Sequence, residues 1–215
     1  NTAWAFATAG HASPELFKTI SAEAVRRRLD NFNPQGLSNM AWAFATAGHA
    51  SPELFKAISA EAVRRRLGGF NEQDLSNTAW AFATAGHASP ELFKTISAEA
   101  VRRRLDNFNP QGLSNMAWAF ATAGHASPEL FKAISAEAVR RRLGGFNEQD
   151  LSNTAWAFAT AGHASPELFK TISAEAVRRR LDNFNPQGLS NMAWAFATAG
   201  HASPELFKAI SAEAV

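Results

Sequence analysis

The sequence contains no cysteine, and its 215 residues carry a formal net charge of only +2. The lack of cysteine excludes a disulfide framework, a thiolate metal site and a cysteine nucleophile. No apolar run approaches the roughly 18–20 residues that a membrane-spanning helix needs, and we expect no signal or transit segment at the start of this sequence. The near balance of charges excludes a histone-like polycation.

What the sequence does contain is one 38-residue repeat that accounts for the whole chain. Two versions of the repeat alternate, so that residues 77–139 copy residues 1–63. A fixed period between 20 and 50 residues is typical of solenoids and arrays. We therefore assign a single array over 1–215, with repeats 1–38, 39–76, 77–114, 115–152 and 153–190 and a truncated repeat 191–215. Each repeat carries one tryptophan, at Trp4, Trp42, Trp80, Trp118, Trp156 and Trp194.

Each repeat predicts two helices, which we call A and B. Helix A begins at Asn33 as N-cap, with proline at the first helical position, and ends at Gly48. Helix B begins at Ser51 as N-cap and runs to Leu67, where a glycine pair or Asp-Asn follows. Paired capped helices with tight turns predict an all-α fold, a right-handed αα-hairpin solenoid.

Helix A is apolar almost all round, apart from a strip of Asn39, Ala43 and Thr46. A helix of this composition is expected to be sandwiched between neighbouring helices. We therefore predict that Trp42 and its equivalents are buried at the interface between adjacent repeats. Truncating them should then destabilise the protein more than any other single-position change.

The period and the motif resemble those of the octotricopeptide repeat family. The residues that carry the resemblance are Asn-Pro-Gln-Gly-Leu-Ser-Asn-Met-Ala-Trp-Ala-Phe-Ala-Thr-Ala-Gly at 33–48 and Ser-Pro-Glu-Leu-Phe at 51–55. The resemblance implies an α-solenoid that binds RNA and stabilises, processes or activates translation of transcripts in a chloroplast or mitochondrion. Arrays of this family are usually degenerate between repeats. The near identity here suggests a consensus design or a recent tandem duplication.

Three consecutive arginines close each complete helix B and are candidates for phosphate contacts. A guanidinium matches the geometry of a phosphate, and one cluster per repeat would follow a nucleic-acid backbone. The alternative is structural, because cations in the last helical turn complement the helix dipole and pair with a nearby glutamate. The candidates are Arg26, Arg27, Arg28, Arg64, Arg65, Arg66, Arg102, Arg103, Arg104, Arg140, Arg141, Arg142, Arg178, Arg179 and Arg180.

The first two positions of the repeat are candidates for contacts with bases. The first is always asparagine, which could instead form a ladder of hydrogen bonds to the backbone of the neighbouring repeat. The second alternates between threonine and methionine, which could read two different bases or could be neutral variation in the core. The candidates are Asn1, Thr2, Asn39, Met40, Asn77, Thr78, Asn115, Met116, Asn153, Thr154, Asn191 and Met192.

Two classes of function remain open from the sequence. The first is a modular single-stranded RNA-binding protein that uses one repeat per nucleotide to recognise a periodic sequence. The second is a scaffold or designed repeat protein that binds other proteins and no nucleic acid. The sequence shows no catalytic constellation, so we expect no enzyme activity, no cofactor and no metal site. The histidines are read as turn residues.

Near-identical ends also predict head-to-tail self-association.

Overall fold

The structure is a computed structural model, and it describes residues 2–11, 13–49, 51–87, 89–125 and 127–213. In this part of the chain there are twelve α-helices and two short 3-10 turns, and no strand. The helices follow one another in a regular pattern, which confirms the all-α, αα-hairpin solenoid fold. The chain divides into two compact units, Asn1–Arg103 and Arg104–Val215. The right-handed superhelix stays a prediction.

Odd-numbered helices are the A helices of the repeats, and even-numbered helices are the B helices. The A helices are α1 (Thr2–Thr8), α3 (Pro34–Thr46) and α5 (Glu72–Thr84) in the first unit and α7 (Pro110–Thr122), α9 (Glu148–Thr160) and α11 (Pro186–Thr198) in the second. The B helices are α2 (Pro14–Arg26), α4 (Pro52–Arg64) and α6 (Pro90–Arg103), then α8 (Pro128–Arg140), α10 (Pro166–Arg179) and α12 (Pro204–Glu213). The 3-10 turns are Leu29–Asn31 and Leu181–Asn183.

The predicted start and end of helix A are confirmed. The Asn33 side chain accepts a hydrogen bond from the Gly36 backbone N–H at 2.7 Å, as an N-cap does. At the other end Gly48 takes a φ of +67°. The N–H of Gly48 then donates to the Ala45 carbonyl and that of His49 to the Phe44 carbonyl, which is a Schellman closure.

Helix B begins where it was expected to begin, but its serine does not cap it through the side chain. Ser51 occupies the N-cap position without a side-chain hydrogen bond to the helix. Its hydroxyl pairs instead with that of Ser21 on the preceding helix B. The same pairing recurs, so this serine joins consecutive repeats within each unit. The other pairs are Ser59–Ser89, Ser135–Ser165 and Ser173–Ser203.

Helix B ends earlier than the sequence predicted. The last helical residue of α4 is Arg64 rather than Leu67. Arg66 and Leu67 both have positive φ values, +50° and +54°, and the Leu67 N–H donates to the Ala62 carbonyl at 2.9 Å. This closure turns Leu67 back into the core, where it is fully buried. Burial of the leucine therefore ends the helix at the arginines, before the glycine pair is reached.

The A helices of each unit pack side by side at close range because their flanks carry small residues. Ala41 and Ala43 flank α3 and have no exposed surface. Between α9 and α11 the approach is so close that a Cβ at Gly188 would lie 3.0 Å from Ser152 Oγ. Because neighbouring A helices cover both flanks of an A helix, only a narrow outer strip of the helix faces solvent.

Phenylalanine, and not tryptophan, fills the core between helices A and B. Phe44 is 1% exposed and meets Phe17 edge to face, with ring centroids 5.0 Å apart. The prediction that the tryptophans are buried between repeats is confirmed only in part: Trp42 is half-buried beside Trp80, whereas Trp194 on the last A helix is 46% exposed. Trp42 and Phe44 are two positions apart in the sequence, which corresponds to a rotation of about 200° around the helix. The two rings therefore point to nearly opposite sides of the helix.

Candidate nucleic-acid interface

Each complete A helix presents one strip of four side chains to solvent, which we call the A strip. On α3 the strip consists of Gln35, Asn39, Trp42 and Thr46, with the glutamine and threonine exposed and the other two half-buried. Spacings of four, three and four residues keep these side chains within about 60° of the helix circumference. The same strip recurs as Gln73, Asn77, Trp80 and Thr84; Gln111, Asn115, Trp118 and Thr122; Gln149, Asn153, Trp156 and Thr160; and Gln187, Asn191, Trp194 and Thr198.

The tryptophans of the A strip contact one another within each unit and form a ladder of indole rings. In the first unit the centroids of Trp42 and Trp80 are 6.3 Å apart, with a tilt of 31°. In the second unit Trp118, Trp156 and Trp194 follow one another at 6.5 Å, with tilts of 33° and 34°. Aromatic side chains on a surface are what single-stranded nucleic acids stack on, because every base has a π-face.

The asparagines of the A strip do not form the backbone ladder that the sequence left open. Within the described residues the side chains of Asn39, Asn77, Asn115 and Asn153 make no hydrogen bond to the protein. Asn191 accepts one from Gln187 of its own helix at 2.9 Å. Each half-buried amide therefore keeps a donor and an acceptor that face water. Asn1 lies outside the described residues.

In the second unit the amides of two neighbouring helices line one groove. It runs between α9 and α11, has a volume of about 310 Å³, and is bordered by Gln149, Asn153, Gln187 and Asn191. Glu148 lies at one end, where α9 begins. The groove offers amide groups with both donor and acceptor capacity next to the tryptophan ladder.

The alternating threonine and methionine lie inside the layer of A helices. Thr78, Met116, Thr154 and Met192 have no exposed surface, and Met40 is half-buried. The hydroxyls of Thr78 and Thr154 are buried without a hydrogen-bond partner. A side chain in this place offers no surface to a base, so the burial favours the interpretation as core variation. Thr2 is exposed, on the first helix.

The first arginine of each triplet pairs with a glutamate of its own helix. Arg64 donates to both carboxylate oxygens of Glu61, through Nε at 2.9 Å and Nη2 at 2.6 Å. These hydrogen bonds lower the pKa of Glu61 to about 2. The other first arginines do the same in pairs Arg26–Glu23, Arg102–Glu99, Arg140–Glu137 and Arg178–Glu175.

The second arginine joins repeats instead of facing solvent. The side chain of Arg65 is 17% exposed, and its Nη1 donates to the Phe32 carbonyl at 2.7 Å, in the loop that leads into α3. Its Nη2 donates to the carbonyls of Leu29 and Asp30, both at 2.9 Å. Arg103, Arg141 and Arg179 reach the carbonyls of Phe70, Phe108 and Phe146 in the same way. Arg27 is the exception: its side chain is 68% exposed and bonds to Glu23.

The third arginine of each triplet is exposed and unpaired in the part of the chain that the structure describes. Its guanidinium has no hydrogen bond and no ion pair there, and its backbone takes a φ between +49° and +65°. It lies at the edge where a B helix ends and the next A helix begins. Among the described residues of each triplet, this arginine is the member whose guanidinium has no protein partner. The set is Arg28, Arg66, Arg104, Arg142 and Arg180.

The histidines follow the A helices, at the edge of the repeats opposite to the third arginines, and they pack on phenylalanines. The His49 ring stacks on Phe17 of the preceding repeat, with centroids 4.6 Å apart and a tilt of 22°. His201 stacks on Phe169 at 4.4 Å. Across the described residues no group of three or more histidine, cysteine, aspartate or glutamate side chains is placed to hold a metal ion. None of the described helices is long and apolar enough to cross a membrane.

The fold and the A strip define a helical-repeat protein with one polar and aromatic surface unit per repeat. The family model of the RNA-editing substrate-binding complex 6 protein (RESC6) matches residues 2–215. Because the match covers nearly all of the chain, the chain belongs to that family. No curated protein matches it.

The tryptophan ladder is the feature that sequence reasoning missed. The signal was present in the spacing, since Trp42 and Phe44 are two residues apart and must face opposite sides of α3. Phe44 faces helix B, so Trp42 lies on the outer side of α3, where it is half-buried. Ala43, which the residue pattern grouped with Asn39 and Thr46 in one strip, has no exposed surface.

Proposed function

We propose that the chain is a modular single-stranded RNA-binding protein of the octotricopeptide type, in which one A strip contacts one nucleotide. The observation that carries this proposal is the tryptophan ladder on the outer surface of the A helices, for example Trp42 against Trp80. A contiguous row of partly exposed aromatic rings is typical of a binding surface, whereas single exposed rings are common on proteins. The family description names an RNA-editing substrate-binding complex, which fits an RNA ligand.

The chemistry of the A strip suits bases better than phosphates. An indole stack contributes about 1–3 kcal/mol per base. The amides of Gln35 and Asn39 supply hydrogen bonds to base edges, and the Thr46 hydroxyl can reach a 2′-OH. The strip itself is uncharged because it consists of glutamine, asparagine, tryptophan and threonine, and the A helices carry no lysine or arginine. Phosphate contacts are left to the third arginines at the edge.

A second function has its own observation in favour. Grooves of about 420 and 440 Å³ lie between consecutive B helices, one in each unit. The first is lined by Phe17, Val25 and His49 with Lys18 and Glu53 at its border. Apolar grooves with charged borders suit a protein partner, as a scaffold within a complex would need. RNA binding remains the first proposal because the ladder is continuous within each unit.

The proposal is tested by fluorescence anisotropy with labelled 12-nucleotide single-stranded RNAs at two salt concentrations. Changing Trp42, Trp80, Trp118 and Trp156 to leucine together should weaken binding at least tenfold, because the stacks are lost. The matched control changes Lys56, Lys94 and Lys132 on the B helices to glutamine, which removes charge from the other face. Tight RNA binding that survives the tryptophan changes and is lost with the lysine changes would overturn the proposed face.

A further inference from the structure

The alternation between the two repeat versions raises the question of what the A strip reads. Building on the proposed function, we infer that the strip reads the same base in every repeat, and that this base is adenine. The preferred ligand is then an adenine-rich single strand with a period of one nucleotide. The alternation of the repeats is not read.

The first support is the location of every difference between the two versions. None of the differing positions belongs to the A strip. The threonine or methionine is buried in the A layer from α5 to α11, although Met40 is half-buried and Thr2 on the first helix is exposed. Asp74 of the second version is buried as a capping residue hydrogen-bonded to Asn71. The remaining differences lie on helix B, in the loop after it, or at the first residue of helix A. In the first version the differing residues are Thr2, Thr19, Asp30, Asn31, Pro34 and Gly36.

The second support is that the exposed chemistry is the same in all complete repeats. Gln35, Asn39, Trp42 and Thr46 recur unchanged on each full A helix. The spacing of the rings also repeats, from 6.3 Å in the first unit to 6.5 Å in the second. The four residues of the A strip therefore offer a nucleotide the same donors, acceptors and stacking surface in each repeat, while the alternating proline or glutamate lies outside the strip, at the end of the groove. Because the A strips have the same chemistry, we expect each of them to select the same base.

The choice of adenine follows from the side chains present and those absent. Asparagine and glutamine pair bidentately with adenine, whereas guanine is matched by arginine or lysine and cytosine by aspartate or glutamate. The A strip offers two amides one helical turn apart, as in Gln35 and Asn39, and no charged side chain. The indole of Trp42 adds a broad stacking surface, which a two-ring purine covers more completely than a pyrimidine.

The test compares 12-nucleotide RNAs of one length: oligo(A), oligo(U), oligo(C) and alternating (AC). One bidentate pair discriminates by roughly 1–3 kcal/mol, so oligo(A) should bind at least tenfold tighter than oligo(U) and oligo(C). The (AC) strand should fall between them. Changing Met40, Met116 and Met192 to threonine makes the repeats alike at the buried position and should leave this order unchanged. Changing Asn39, Asn77, Asn115 and Asn153 to alanine should reduce the preference for oligo(A) while stacking still supports binding.

Each outcome separates this inference from the proposed function. If no strand binds, the proposed function fails. If all homopolymers bind equally, or oligo(U) binds best, RNA binding stands and the adenine assignment is overturned. If (AC) binds tightest, or the methionine changes reorder the ligands, the alternation is read after all.

Discussion

Nη1 of Arg65 donates a hydrogen bond of 2.7 Å to the carbonyl oxygen of Phe32, 33 positions earlier in the chain. The same guanidinium also binds the carbonyls of Leu29 and Asp30. The three members of an arginine triplet, identical in sequence, therefore have different environments. The second is a structural link between repeats, the first is paired with its own helix, and the third is exposed without a partner among the described residues.

Replacing the second arginine should destabilise the protein more than replacing the first. In Arg141→Gln the carbonyls of Phe108, Leu105 and Asp106 lose a charged donor, which should cost about 1.5–3 kcal/mol. The matched change Arg140→Gln removes a guanidinium that is 64% exposed and bonds only to Glu137 of its own helix, so it should cost less. Urea denaturation followed by circular dichroism measures both, and equal midpoints would contradict the structural role of Arg141.

The phenylalanines should matter more for stability than the tryptophans do, contrary to the expectation from sequence. Phe120→Ala removes a fully buried ring and should cost about 3–5 kcal/mol. Trp118→Ala removes a half-buried ring at the surface and should cost clearly less. RNA affinity should fall more with Trp118→Ala than with Phe120→Ala. Thermal melts and anisotropy on the two variants check both, and a lower melting temperature for Trp118→Ala would refute the assignment.

The fold could be predicted from sequence because local signals and the period agree. Asn33, Pro34 and Gly48 mark the limits of helix A by their own backbone chemistry, and the structure confirms those limits. The face of a helix that meets solvent depends on what its neighbours cover, and an almost wholly apolar helix hides that information. This is why the position of Trp42 on the outer side of the helix, half-buried, was missed.

The end of helix B shows a second limit of local reasoning. Glycine favours positive φ, so Gly68 was the expected end of the helix. The chain turns earlier, at Arg66, because Leu67 gains more by entering the core than the left-handed residues lose. A tertiary contact thus overrides a residue preference, and no local pattern reports it.

Acid should weaken the protein through the glutamates that hold the first arginines. The hydrogen bonds from Arg64 lower the pKa of Glu61 from 4.5 to about 2. A lowered pKa in the folded state stabilises the protein above the unfolded value, and this contribution is lost as pH falls from about 4.5 toward 2. Changing Glu61, Glu99, Glu137 and Glu175 to glutamine should flatten this part of the stability profile. Urea denaturation midpoints between pH 2 and 7 measure the dependence of stability on pH. If the glutamine variant showed the same dependence as the wild type, these carboxylates would not be its cause.

Replacing the third arginines by glycine should separate RNA binding from stability. Arg66 and Arg142 have φ values of +50° and +49°, and Arg104 and Arg180 both have +65°. A left-handed conformation costs a residue with a Cβ roughly 1–2 kcal/mol, which glycine does not incur. Four Arg→Gly changes should therefore leave the melting temperature unchanged or raise it.

The same four changes should reduce RNA affinity in a salt-dependent way. Each phosphate contact on a single strand contributes about 0.7 to the slope of log affinity against log salt, so each lost arginine that contacts a phosphate should lower the slope by that amount. Arg→Lys at the four positions keeps the charge and should preserve most of the slope. Changing Arg64, Arg102, Arg140 and Arg178 to glutamine removes equal charge and should alter the slope less, because those guanidiniums are held by glutamates. Anisotropy titrations from 50 to 300 mM salt, about the range where such slopes are steep, make the comparison. A glycine variant with the wild-type slope would show that the phosphate backbone runs elsewhere.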